Sequence, residues 1–170
     1  MPVIEISQIG VRGSRNDLSD VAGIRVGHHH RIGEGWLTGT TVVTAPNGCV
    51  GGVDVRGGGS STRETDLLAP TTLVDVVHAL CLSGPSSCGL AAADGVMERL
   101  ESFGIGLRVG EDERMVVPIV PAACLFDLRG VEEFTNRPDA SFGCAAFDDA
   151  STQIVKQDNV GAGAERGPEV

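Results

Sequence analysis

The sequence contains few aromatic residues and little positive charge outside arginine. It has no tyrosine and one tryptophan among 170 residues, and Lys156 is the single lysine beside twelve arginines. So few rings offer little surface for stacking nucleic-acid bases. The formal net charge of −10 repels nucleic-acid phosphates and anionic lipid headgroups. We therefore expect neither nucleic acid nor a membrane surface as a partner.

Long apolar runs and closely paired cysteines are also missing. No stretch approaches the roughly 20 apolar residues of a membrane span, and the first ten residues lack the charged and apolar regions of a signal peptide. The cysteines show no CxxC spacing, and most have apolar neighbours, which indicates reduced thiols rather than a disulfide framework. We expect a cytoplasmic protein whose five thiols are Cys49, Cys81, Cys88, Cys124 and Cys144.

Glycine and small apolar residues are abundant. Hydrophobic residues make up 41% of the chain, which is too many for a disordered protein, and the length fits one domain over residues 1–170. Residues 1–17 are predicted to be a lead-in segment, and residues 164–170 a polar tail. Alternating and β-branched residues predict strands near 24–28, 40–43 and 49–55.

Apolar residues at helical spacing follow the glycine-rich loop of Arg56 to Leu68. Thr72-x-x-Asp75 is typical of a capping box, and four apolar side chains at i, i+3, i+4 and i+7 predict a helix beginning near Thr71. A second helix is expected over 90–103 and a third over 139–150, with strands near 104–109, 115–120 and 122–128. This order of elements predicts an α/β or α+β fold.

Two segments resemble ligand sites only superficially. Adjacent residues of a strand point to opposite faces, so at most His28 and His30 of the triple histidine could share a metal, and no further ligand follows at suitable spacing. The run Gly57-Gly58-Gly59 lacks the following Lys of a phosphate-binding loop. We predict no metal and no cofactor.

The best local candidates for chemistry lie between residues 86 and 88. Ser86, Ser87 and Cys88 stand at a loop-to-helix junction, where free backbone N–H groups could stabilise a thiolate or an oxyanion. A hydrolase that uses Cys88 with His78 is one alternative. Charged residues around the glycine loop are interpreted mainly as an ion-pair network, with Arg56 and Glu64 as possible site residues.

Several blocks together resemble one family. They are Leu18 to His28, Thr38 to Val43, Val53 to Gly57, Thr62 to Leu68, Gly89 to Met97, Val117 to Pro121, Leu125 to Leu128 and Asn159 to Gly163. In this order they are similar to the N-terminal half of the self-cleaving aminopeptidases. That family includes L-aminopeptidase/D-esterases, β-peptidyl aminopeptidases and nylon-oligomer hydrolases.

The resemblance implies part of a four-layer α/β/β/α sandwich like that of N-terminal-nucleophile hydrolases. It also implies a precursor that cuts itself, so that a Ser or Thr at the new N-terminus becomes the nucleophile and its own α-amine the general base. Substrates would be short peptides, amides or esters with a free amino group. Homo-oligomers or multimers of αβ units are expected.

The resemblance also implies that the catalytic groups lie downstream. In the family the Asn-Val-Gly-Ala-Gly block precedes a lysine, an oxyanion-binding asparagine and then the nucleophile, and none of these has a counterpart here. We therefore predict no catalytic residue in this incomplete domain and no activity without a β-side partner chain. Ser86, Ser87, Cys88 and Phe126 are the predicted substrate-binding residues, Phe126 standing where some members have tyrosine. The alternative is an inactive remnant with a binding or structural role.

Overall fold

The computed structural model of the protein describes residues 12–128 and 133–164. Within these ranges one five-stranded sheet carries two α-helices on one of its faces. The strands are β1 (Arg25–Gly33), β2 (Trp36–Cys49), β3 (Thr62–Arg63), β4 (Val77–Ser83) and β7 (Ala122–Cys124), and β5 (Leu107–Arg108) pairs with β6 (Val116–Val117) in a separate ribbon. The helices are α1 (Ala92–Ser102) and α2 (Ala140–Asp148).

The order of strands in the main sheet is β1-β2-β4-β7-β3. All neighbours are antiparallel except β4 and β7, which run parallel, with Ser83 opposite Cys124. Parallel strands end at the same edge of a sheet, so the chain leaving β4 and the chain leaving β7 emerge side by side. This edge carries the residues discussed as a candidate site.

The core lies between the sheet and the two helices. It consists of small and medium side chains from both layers, which are Val42, Ala79, Cys81, Ala92, Ala93, Val96, Leu100, Val120, Ala122 and Ala146. The helices approach each other closely because α1 has Gly95 and α2 has Gly143 at the crossing. A Cβ at Gly95 would collide with the carbonyl oxygen of Ala140, and one at Gly143 with that of Ala92.

The opposite face of the sheet is covered only in part by the described residues. Over β1 and β2 it is covered by a 3₁₀ helix (Gly161–Gly163), where Ala162 N donates to Thr41 Oγ1 at 2.9 Å. Further along the sheet, Leu80 and Leu82 are 38% and 43% exposed. We call the surface formed by His78, Leu80, Leu82 and Ala123 the open face.

The helix predicted to begin near Thr71 is wrong. The chain forms turns up to residue 76 and then strand β4, in which Val77, Ala79, Cys81 and Ser83 are buried at every second position. Leu73, the first residue of the predicted apolar stripe, is 84% exposed. Apolar residues lie on both faces of β4. Two of them, Val77 and Leu80, therefore fit a helical spacing together with the preceding Leu73 and Val76, although the segment is a strand.

Most of the other predicted elements match with shifted ends. The second and third helices occur as α1 and α2, and Asp139 accepts a hydrogen bond from Ser141 N as the N-cap of α2. The strand predicted over 49–55 is wrong, because Cys49 is the last residue of β2 and residues 50–55 form no strand, whereas the strands near 104–109, 115–120 and 122–128 are present but shorten to two or three residues each. Residues 1–11 of the lead-in and 165–170 of the tail lie outside the described residues, and Ala164, the first residue of the predicted tail, is buried.

Candidate functional site

The predicted substrate-binding residues lie together where β4 and β7 end. Leu125 N donates to the carbonyl oxygen of Ser83 at 2.9 Å, and Ser86 N donates to the carbonyl oxygen of Leu125 at 2.7 Å. These two bonds bind the segment after β7 to the turn after β4. Phe126, which follows Leu125 in the chain, is 68% exposed at this edge of the sheet.

The turn after β4 leads directly into a helix. Ser86–Ala91 form a 3₁₀ helix that continues into α1, and its first turn has no side-chain cap. The φ of Ser86 is +52°, which is the left-handed region that a residue with a Cβ seldom adopts. Ser87 is exposed, whereas Ser86 and Cys88 are half-buried. The helix start predicted at this junction is therefore present, in the 3₁₀ form.

Cys88 has a partner that the sequence did not indicate. Nη1 of Arg137 donates to the Cys88 sulfur at 3.0 Å, and Nε of the same guanidinium donates to the carbonyl oxygen of Phe134 at 3.0 Å. The guanidinium also lies 4.6 Å from the centre of the Phe134 ring. Arg137 is therefore held in place against the thiol by the chain that precedes α2.

Two further thiols, Cys81 and Cys124, lie on the neighbouring strands. Burial raises the pKa of Cys81 to about 12. Burial, and after it the negative charge of Asp127, raises the pKa of Cys124 to about 11. Both thiols are protonated at neutral pH, so neither is a nucleophile there.

A chain of buried polar groups lies beneath the turn. Oγ1 of Thr40 is 2.8 Å from Oγ of Ser83, and Ser83 Oγ lies 3.3 Å from the carbonyl oxygens of both Gly39 and Gly84. Thr38 Oγ1 donates to Oδ2 of Asp127 at 3.2 Å. We call Thr38, Thr40, Ser83 and Asp127 the polar chain, and all four are at most 5% exposed.

This polar chain was not predicted from the sequence. Buried threonine and serine do not add to the hydrophobic alternation by which a strand face is recognised. An aspartate such as Asp127, in a short segment after a strand, is typical of a surface turn. The single signal was Gly84, because a Cβ at that position would collide with the Asp127 carboxylate. An isolated glycine at the end of a strand often marks such a close approach.

The pairing of Cys88 with His78 is not supported by the geometry. His78 stands near the beginning of β4, where its Nε2 is close to Gly48, while Cys88 follows the other end of that strand. Five residues at about 3.3 Å each separate His78 from Ser83 by roughly 16 Å along the strand. Burial lowers the pKa of His78.

The charged residues around the glycine loop are mostly paired. Arg56 and Asp54 form an exposed ion pair at 2.7 Å. The carboxylate of Glu64 accepts a hydrogen bond from Val120 N at 2.9 Å, and this side chain also borders a cleft of about 410 Å³. Arg56 therefore belongs to an ion pair, as predicted. Glu64 instead binds the backbone of the segment that precedes β7.

The triple histidine divides between the two faces of the sheet. His28 and His30 lie on the side of the Gly161–Gly163 helix, where His28 Nδ1 is 3.0 Å from Thr41 Oγ1 and His30 Nδ1 accepts from Gly161 N at 3.4 Å. His29 contacts the edge of the Phe142 ring on the other face. Over residues 12–128 and 133–164, no three His, Cys, Asp or Glu side chains are grouped so that they could hold a metal ion.

No helix in these described ranges is both long enough and apolar enough to cross a bilayer.

Comparison with known sequences gives consistent matches. The profile of peptidase family S58 matches residues 16–166. A protein of Mycobacterium leprae named as an uncharacterized aminopeptidase is 48% identical over 163 residues, which are 87% of this chain and 43% of that protein. A 6-aminohexanoate-oligomer endohydrolase of Kocuria is 33% identical over 148 residues, or 85% of this chain and 36% of that enzyme.

Solved structures agree on the fold. The β-aminopeptidase of a Burkholderia species matches with a TM-score of 0.68 at 20% identity, over 90% of this chain and 43% of that one. The L-aminopeptidase D-Ala-esterase/amidase of Ochrobactrum anthropi matches with a TM-score of 0.72 at 16% identity, over 92% and 46% of the two chains. The latter is described as a variant of the N-terminal-nucleophile hydrolase fold, so the predicted fold class is confirmed.

Proposed function

Because this chain belongs to peptidase family S58, we propose that it is the upstream, α-side part of an aminopeptidase-type hydrolase whose nucleophile lies on a downstream segment. The chain spans less than half the length of the relatives it matches, 43% of the Mycobacterium leprae protein and 36% of the Kocuria enzyme. The activity, substrates and partners of the whole protein are therefore part of this proposal.

The observation that carries the proposal is the open face of the sheet. Leu80 and Leu82 expose 38% and 43% of their surface beside His78 and Ala123, while Ala79 and Cys81, which alternate with them, are buried on the face toward the helices. Complete burial of a leucine stabilises a protein by about 1.5–3 kcal/mol. A second sheet from the β-side chain, packed on this face, would complete the sandwich and bury both leucines.

Within such a complex this chain would supply part of the substrate pocket rather than the reacting groups. The β-side Ser or Thr would attack the amide carbonyl while its own α-amine takes the hydroxyl proton. Ser86, Ser87, Cys88 and Phe126 lie at the edge where β4 and β7 end, and they would contact the substrate from the α side. We propose short peptides, amides or esters with a free amino group as substrates.

The decisive test combines this chain with the downstream half of a family member. We expect a stable one-to-one complex that hydrolyses amino-acid p-nitroanilides, while the chain alone shows no hydrolysis. Replacing Leu82 by Asp should abolish the complex, because a charge would be placed in the new interface. The matched control is Leu73→Asp, which changes a leucine that is 84% exposed and lies outside the open face.

Two other results would give the function a different assignment. If no complex forms and the chain alone is inactive, it is a remnant with a binding or structural role. If the chain alone hydrolyses the substrate and labelling of Cys88 stops the reaction, the thiol is the nucleophile and the proposal fails. The roughly 16 Å between His78 and Ser83 along β4 is the reason why we favour the complex over a Cys88–His78 pair.

The compartment and assembly belong to the same proposal. All five cysteines are free thiols, which agrees with a reducing cytoplasm. Multimers of αβ units would be seen as a multiple of the one-to-one mass in light scattering of the complex. A complex that stays at the one-to-one mass at all concentrations would contradict the multimer.

A further inference from the structure

The polar chain beneath the turn after β4 includes a buried carboxylate, and burial of a carboxylate is energetically unfavourable. An ionised carboxylate removed from water destabilises a protein strongly unless it is bound by donors. Asp127 is 5% exposed, accepts from Thr38 Oγ1 at 3.2 Å and lies so close to Gly84 that no Cβ fits there. The carboxylate therefore packs directly on the backbone of the turn that carries Ser86.

The turn itself is held in a costly conformation. Ser86 has a φ of +52°, and residues in such sparsely populated regions persist where the surrounding structure fixes them, typically at functional sites. The hydrogen bond from Ser86 N to the carbonyl oxygen of Leu125 at 2.7 Å holds the turn from one side. The contact of Asp127 with Gly84 holds it from the other.

We propose that Asp127, fixed by Thr38, is a positioning residue that sets the distance between the Ser86–Cys88 turn and Phe126. Asp127 follows Phe126 directly and reaches the backbone two residues before Ser86. A shift of this carboxylate therefore moves both the Ser86–Cys88 turn and Phe126, which are the two walls of the predicted substrate pocket. The inference rests on the proposed function, because it assigns these walls to substrate binding.

The position of the Asp127 carboxylate also affects the neighbouring thiol of Cys124. The charge of Asp127 is the second cause, after burial, of the raised pKa of Cys124. Cys124 is the last residue of β7 and pairs with Ser83 of β4. The carboxylate therefore faces the junction of both strand ends.

The first measurement uses the purified chain alone. Alkylation of Cys88 by iodoacetamide, followed by mass spectrometry of its peptide, reports how firmly the turn is held. We expect Thr38→Val and Asp127→Asn to raise the alkylation rate several-fold. The matched control is Thr44→Val, because Thr44 is a buried threonine on the same face of β2 but lies six residues from Thr38 and away from the turn.

The second measurement uses the complex with the downstream half. Misplaced substrate-positioning groups reduce rates by up to about 100-fold, and we expect Asp127→Asn to raise KM by about tenfold while kcat stays within about threefold. Thr38→Val should show a smaller increase in KM, since it removes one hydrogen-bond donor and leaves the carboxylate. Thr44→Val should change thermal stability without changing KM.

The two measurements separate this inference from the proposed function. An inactive wild-type complex would count against the proposed function, and the alkylation rates would still decide whether Asp127 holds the turn. If Thr38→Val and Asp127→Asn alkylate at the rate of Thr44→Val, the inference is overturned. The same follows if the complex is active and the three variants share one KM.

Discussion

The two faces of the main sheet place similar side chains in opposite environments. On the face toward the helices Val42 of β2 and Ala79 and Cys81 of β4 are 0–2% exposed, whereas Leu80 and Leu82, which alternate with the latter two along β4, are 38% and 43% exposed. All five are apolar, so composition does not distinguish them. The difference arises from the alternation of the strand, which directs successive side chains to opposite faces.

Within the described residues one face is therefore fully covered and the other only in part. The helix face is closed by α1 and α2, whose glycines permit contact between their backbones. In the described residues the opposite face is covered at the β1 and β2 end by Gly161–Gly163, and the open face remains beside it. We expect the helix face to determine the stability of the chain and the open face to determine association.

The largest expected effect comes from a charge placed on the helix face. Val42 is 0% exposed, so Val42→Asp buries a carboxylate without a prepared partner and should reduce the free energy of unfolding by more than about 4 kcal/mol. We expect no cooperative urea transition in circular dichroism. The matched variant Leu80→Asp, on the open face, should cost less than about 1 kcal/mol. Equal losses for both variants would remove the distinction between the faces.

A smaller effect is expected from alkaline pH, which acts on the helix face through Cys81. Burial raises the pKa of this thiol to about 12 in the folded chain, above the value of about 8.5 for an unfolded one. Its contribution to stability is therefore complete below about pH 8.5 and is lost as the pH rises through 12. Over this range each pH unit costs up to about 1.4 kcal/mol per thiol.

Urea unfolding between pH 8 and pH 10.5 measures this loss. Cys81→Ala should be less stable at pH 8 because it leaves a cavity, but its dependence on pH should be flatter than that of the wild type. Cys49→Ala, which removes an exposed thiol, provides the matched control. A wild-type slope in Cys81→Ala would show that this thiol is not shielded by the helix face.

The sequence predicted the parts of the fold in which one face of an element is polar. Strand β1 was recognised from its alternation, β2 from its β-branched residues, and helices α1 and α2 from their helical spacing. Strand β4 has apolar residues on both faces because one faces the helices and the other is the open face. Val77 and Leu80 of this strand fit a helical spacing with Leu73 and Val76 before it, so the local pattern favoured the wrong element.

The candidate site was predictable only in part. Ser86 to Cys88 were singled out from the loop-to-helix junction and Phe126 from the resemblance, and the structure brings both segments to one edge. Their meeting follows from the parallel pairing of β4 with β7, which is a long-range property without a local signal. Arg137 and Asp127 were missed for the same reason, since their partners lie 49 and 89 residues away along the chain.

The smallest expected effect concerns the rim of the helix face, where Arg63 of β3 contacts Asp94 of α1. The pair joins Nη1 to Oδ1 at 2.5 Å, with side chains that are 26% and 62% exposed, and Nη2 of Arg63 also lies 2.8 Å from the Met97 sulfur. Because water screens this pair, Asp94→Asn should reduce the free energy of unfolding by about 0.5 kcal/mol. The loss should decrease in 1 M salt, where charges are screened within about 3 Å.

Asp54→Asn is the matched control. It breaks an ion pair that joins only neighbouring exposed residues of the glycine loop, so it should have no measurable effect on the free energy of unfolding. A loss above about 2 kcal/mol for Asp94→Asn would mean that the edge of the sheet depends on this single ion pair rather than on the apolar contact between the helices and β4.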